Sequence, residues 1–329
     1  MKTDIPVFDL IDQCEFGMDN PFELENGLFP NLRNHFPSKM VDLFEKRIYN
    51  SWLDFGFIGE STVCVFYDII TEKLLQDRYH GYFDHLNKDE LNQISVDFAD
   101  VIEDEVRHRE IFLKIIEKTG MPTRHDINRA NHTNLDFKAD IKEVVQTDLY
   151  GDGTRPASLL GHVVPMLIGE TYLLATFNMF YNMSPNKSKK QIFKSLLQDE
   201  SRHTNHFRNL LKQASINPHD AEAYRDDIHA NIFELSNFGL LELVRFVTEI
   251  IKSRDKMNAI FTEVYKDKFH EDFRELFLRK IYQFYSVIYP NTTEAEFYNT
   301  LNSMEFSSIF GENQSRRRDI IIEKALINQ

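Results

Sequence analysis

The sequence predicts an all-α protein. Only 12 Gly and 10 Pro stand among its 329 residues, apolar positions recur every three or four residues, and capping and stop signals bound the long amphipathic stretches. With 42% hydrophobic and 13% aromatic residues the chain can bury a large core. Its length suits one helical domain over 1–329, made of a four-helix core bundle at about 38–215 and a C-terminal helical extension at about 216–329.

Taken in order, the chain starts with an irregular segment through Pro30, and a first helix is expected from about Ser38 to Leu75, with a break near Gly56 and Gly59. The second opens on the capping-box pattern Asn87-Lys88-Asp89-Glu90 and runs to Lys118, where Gly120 and Pro122 stop it. Residues 121–155 are polar and read as a connection with one short helix around 138–147. The third helix spans about 156–182 and contains Pro165, which is expected to kink it one turn before Glu170. After a turn over Asn182 to Lys187, the fourth runs from about Ser188 to Ala214. Beyond Pro218, amphipathic stretches at 236–252 and 271–288 are expected to pack on the bundle, the latter with Phe273, Leu276, Phe277, Ile281, Phe284 and Ile288 on one side.

Lys plus Arg number 38 and Asp plus Glu 52, a formal charge of −14, which argues against nucleic acid and anionic membranes as partners. Cys14 and Cys64 are too few for a disulfide framework, and the opening MKTDIPVFDLIDQCEF lacks the blocks of a signal peptide. The stretch VVPMLIGETYLLATFNMF is interrupted by Glu170, so no membrane span is expected and a soluble, cytoplasmic protein is.

The chemistry sits in a repeated string. Asp104-Glu105-Val106-Arg107-His108 lies on the second helix and Asp199-Glu200-Ser201-Arg202-His203 on the fourth. Residues three apart share a helix face, so each Glu and His can reach one ion together. Phe98, Ile102, Glu105, His108 and Phe112 form one stripe, and Ile192, Leu196, Glu200, His203 and Phe207 another. The first and third helices add Phe57-Ile58-Gly59-Glu60-Ser61 and Leu167-Ile168-Gly169-Glu170-Thr171, each with a glutamate amid apolar neighbours. Four inward carboxylates and two imidazoles need a cationic partner, and two ions held by Glu60, Glu105, His108, Glu170, Glu200 and His203 would supply it. The mixed oxygen and nitrogen donors favour iron, then manganese. Chain order suggests two hairpins related by a pseudo-twofold axis, with Asp104 serving His203, Asp199 serving His108, and Arg107 and Arg202 balancing the acids. A single Glu-x-x-His is an ordinary surface pattern; the repeat with identical flanks is not. Glu45, Asp68 or Glu72 could replace Glu60, though their polar neighbourhoods favour a solvated face. Cys64, His162 and His206 could lie near the metals, but packing or surface roles are commoner for each.

These residues resemble the ferritin-like di-iron oxygenases. Glu170 followed after 28 residues by Asp199-Glu200-x-x-His203 is similar to the signature of the para-aminobenzoate N-oxygenase (AurF-like) family, with a likeness covering roughly 38–215. The resemblance implies a homodimer whose di-iron centre uses O2 to oxidise an arylamine, with the six residues above as iron ligands. The arylamine oxygenases carry a further histidine ligand where this chain has Leu196. The radical tyrosine of the ribonucleotide reductase small subunit is replaced by Phe112, and the threonine of the bacterial multicomponent monooxygenases by Leu174. The expected function is that of an O2-dependent di-iron monooxygenase acting on a small organic substrate, supplied by an electron donor. An acyl desaturase or hydroxylase and a non-catalytic ferritin-like iron-binding protein are the alternatives.

Overall fold

The computed structural model describes residues 6–75, 81–120, 159–237 and 253–304, with a few positions between 243 and 251. Every regular element among them is helical: α1 Val7–Gln13, a 3-10 turn Pro30–Asn34, α2 Ser38–Leu75, α3 Lys88–Thr119, α4 Leu159–Met183, α5 Lys187–Gln213, α6 Pro218–Ser236, α7 Arg254–Val264, α8 Lys268–Ile288 and α9 Glu294–Ser303. The short helix expected around 138–147 and most of the stretch 236–252 lie outside the described residues.

Local chemistry sets the helix ends. The Asn87 side chain accepts from the backbone N–H groups of Asp89 and Glu90, while Glu90 accepts from that of Asn87, closing the expected capping box. Gly120 ends α3 at φ 58°, a left-handed conformation that glycine adopts without steric cost. Asn186 caps α5 and Asn217 caps α6, where Pro218 occupies the first turn.

α2 packs most extensively on α3 and α4 on α5, and the two hairpins meet through α3 with α5 and α2 with α4. They enclose the core bundle. α1 lies against α5 and α3, α6 covers α4, and α8 packs on α4, α6 and α5. The expected stripe of α8 is buried at Phe273, Phe277, Ile281, Phe284 and Ile288, with Leu276 partly buried.

Three expectations need correction. The N-terminal segment is not wholly irregular: α1 buries Leu10 and Ile11, but its seven residues are too few for a clear 3.6-residue period. α2 does not break at Gly56 or Gly59. A Cβ at Gly56 would come within 2.5 Å of Phe112 Cε1, so this glycine admits a ring from α3 rather than ending a helix. We expect Gly56→Ala to destabilise the protein by about 1–3 kcal/mol through overpacking, read from its denaturant midpoint. As expected, α4 runs as one helix through Pro165 to Met183; the bond that Pro165 cannot donate to Gly161 is lost, but burial on nearly every side holds the helix. Finally, α4 is long and apolar enough to cross a membrane, yet 83% of its most apolar window is buried inside the protein. Its composition reflects a central position in the core.

Candidate metal centre

Each bundle helix brings one or two polar groups to the same depth. Glu60, Glu105, His108, Glu200 and His203 are fully buried and Glu170 is 1% exposed. Ligand atoms of Glu60, Glu105, His108 and Glu200 lie within 4.8 Å of one another, and so do those of Glu105, Glu170, Glu200 and His203. The two groups share Glu105 and Glu200. Each group thus offers two shared carboxylates, one further carboxylate and one imidazole, a set that would suit a metal ion.

Both rings present the same nitrogen to the centre. His108 Nδ1 lies 3.2 Å from Glu200 Oε1, 3.6 Å from Glu105 Oε2 and 3.8 Å from Glu60 Oε1. His203 Nδ1 lies 2.7 Å from Glu105 Oε1, 3.3 Å from Glu170 Oε2 and 3.7 Å from Glu200 Oε2. Both oxygens of Glu60, Glu105 and Glu200, together with His108 Nδ1, are buried without a partner in hydrogen-bonding geometry. Buried polar atoms are rarely left so, and a cation among them accounts for the whole group. The donor set, carboxylates with two imidazoles, therefore fits iron.

The charges tell the same story. Burial, followed by the charge of Glu105, pushes the Glu60 carboxyl well above its ordinary range, and burial and the same neighbour raise Glu170. Burial opposes a charged His108, but Asp199, Glu105 and Glu200 outweigh it and raise its pKa; Glu105 and Asp104 do the same for His203. Burial thus works against charge on the outer carboxylates Glu60 and Glu170, while the acids around His108 and His203 favour their protonated forms. A bound cation would favour the deprotonated forms of all six groups.

Behind the imidazoles lies a closed ring of charge. His108 Nε2 donates to Asp199 Oδ2 at 3.2 Å and His203 Nε2 to Asp104 Oδ2 at 3.3 Å, each histidine reaching the acid of the opposite helix. Arg107 Nη2 bonds Asp104 at 2.9 Å and Asp199 at 2.5 Å, and Arg202 Nη2 bonds Asp199 at 3.0 Å as well as Asp104. Burial alone would raise Asp104, but hydrogen bonds from His203 and Arg202 hold it at about 2. These acids fix each ring's tautomer and turn Nδ1 inward.

Among the described side chains, the other candidates stand elsewhere. Glu45 is buried, not solvated; it accepts from the backbone N–H groups of Leu28 and Phe29 at 2.9 Å each and from Arg33, closing the N-terminal loop. His206 is partly exposed, 3.8 Å from Asp97, and His162 is buried in α4 without joining either ligand group. The side chains of Cys64, Asp68 and Glu72 lie outside the described residues. Tyr67 was missed from the sequence: its hydroxyl donates to Glu170 Oε1 at 3.1 Å, and its ring stacks on Phe207 at 5.2 Å. It follows Glu60 by seven residues, two helical turns on the same face, and that spacing was the available signal.

The sequence comparison agrees with this geometry. A family model for rubrerythrin matches residues 67–211. Over that stretch the chain is similar to rubrerythrin, and the match contains Glu105, His108, Glu170, Glu200 and His203. Glu60 precedes it, and its place in the cluster rests on the structure. No curated protein and no solved structure matches the chain significantly.

Proposed function

We propose that this chain is an O2-dependent di-iron oxidoreductase, with manganese as the second candidate metal, and that Glu60, Glu105, His108, Glu170, Glu200 and His203 are the ligands. The observation that carries the reading is the pair of buried donor groups sharing Glu105 and Glu200. When bound, the irons would supply electrons and a binding position for O2. The protein's own part is to hold and orient. Asp104 and Asp199 aim the two imidazoles, and Tyr67 offers Glu170 a hydrogen bond that restrains its carboxylate. The Tyr67, Phe98 and Phe207 rings on one side and Phe112 with Phe177 on the other keep the centre dry.

The reaction class follows from the same resemblance as before: monooxygenation of a small organic substrate, N-oxygenation of an amine among the options, with an external electron donor and a homodimeric assembly. Supplying the Fe(II)-loaded protein with 18O2, a reductant and a panel of arylamines and acyl substrates should yield a product carrying the label. Oxygen uptake no faster than that of free Fe(II) would sink the oxidase reading, and uptake without labelled product would remove the oxygenase.

Leu196 tests the link to the N-oxygenases. It is buried one turn before Glu200 on the ligand-bearing stripe of α5. Leu196→His should add a nitrogen donor, visible as altered Mössbauer parameters of one iron site; unchanged spectra would show that position 196 does not face the metals.

A further inference from the structure

The two hairpins of the bundle correspond position by position around the candidate centre. Seven residues after Glu60 stands Tyr67, and seven after Glu170 stands Phe177; four after His108 stands Phe112, and four after His203 stands Phe207. The rings pair in the same crossed way. Tyr67 of α2 stacks on Phe207 of α5 with ring centroids 5.2 Å apart, and Phe177 of α4 stacks on Phe112 of α3 at 5.9 Å. All four rings are buried. Across these positions the two halves differ by a single heavy atom, the hydroxyl oxygen of Tyr67.

That oxygen serves one side of the centre only. It donates to Glu170 Oε1 at 3.1 Å, whereas Phe177 has no group to offer Glu60, whose two oxygens have no hydrogen-bond donor among the described residues. Glu170 is thereby held with its other oxygen, Oε2, 3.3 Å from His203 Nδ1, while Glu60 Oε1 stands 3.8 Å from His108 Nδ1. The imidazole on the Tyr67 side is also closer to a shared carboxylate. His203 Nδ1 is 2.7 Å from Glu105 Oε1, and the shortest such distance for His108 Nδ1 is 3.2 Å, to Glu200 Oε1. A ligand already fixed by a hydrogen bond loses less freedom on binding than one the ion itself must order.

We propose that Tyr67 is a positioning residue that makes the two ion positions unequal: the one among Glu105, Glu170, Glu200 and His203 fills first, and the one among Glu60, Glu105, His108 and Glu200 releases its ion more readily. The inference rests on the metal reading above. The test is anomalous diffraction from crystals of the full chain given one equivalent of Fe(II) without O2. The peak beside Glu170 should be severalfold the stronger, as an affinity difference of about tenfold gives, the size of effect expected from one hydrogen bond to a charged group. Tyr67→Phe keeps the stacked ring and removes only the oxygen, so it should bring the two peaks close to equality. Adding Phe177→Tyr to it should turn the preference towards Glu60; the single variant decides the matter if the double one does not fold. Equal peaks in the unaltered chain, a ratio that Tyr67→Phe leaves unchanged, or a folded double variant that still favours Glu170 overturns the proposal and leaves the metal centre standing. Iron at neither position overturns both.

Discussion

Alanine at position 105 is expected to strip the chain of both metal ions, whereas alanine at position 60 should remove only one. Glu105 belongs to both groups of donors and Glu60 to one. Losing a shared carboxylate leaves each ion with one imidazole and two carboxylates and removes the charge that holds the pair together. Losing Glu60 leaves the set of Glu105, Glu170, Glu200 and His203 whole. Neither change should unfold the bundle, because the truncated side chain is one of several buried acids that repel one another without metal, and the surrounding apolar contacts remain. Iron per chain by elemental analysis, beside helical content by circular dichroism, reads the contrast. Equal iron in the two variants would show that Glu105 is not shared.

The second large effect lies one layer out. Asp199→Ala should weaken iron binding by about 10–100-fold, the usual cost of removing a carboxylate behind a metal-bound histidine. It takes away the acceptor of His108 Nε2 and a partner of both Arg107 and Arg202. Asp104→Ala should act alike through His203. Since the two acids share both arginines, the double variant should lose less than the product of the single losses. Competition against a chelator of known affinity measures all three, and fully additive losses would contradict the closed ring.

What could be read from the sequence was what local spacing fixes. A Glu and a His three apart on an apolar stripe must share a helix face, so the repeated Asp-Glu-x-Arg-His strings pointed to a buried polar cluster before any packing was known. The capping box at Asn87 and the stop at Gly120 were legible for the same reason. Features that depend on a second element were not. Gly56 carries a breaker's residue type, and only the Phe112 ring opposite shows that it is a packing site. Glu45 looked solvated because the backbone N–H groups that donate to its carboxylate, those of Leu28 and Phe29, lie 17 and 16 residues away in a segment without periodicity. The Tyr67 bond to Glu170 spans 103 residues, and the Lys189 bond to Pro21 spans 168. No window along the chain contains either pair.

The central claim is that two ions sit side by side among these six residues. Diffraction from iron-loaded crystals on either side of the iron absorption edge tests it most directly. The account predicts two anomalous peaks per chain, one among Glu60, Glu105, His108 and Glu200 and the other among Glu105, Glu170, Glu200 and His203. A single peak, or peaks bound by other residues, would contradict it.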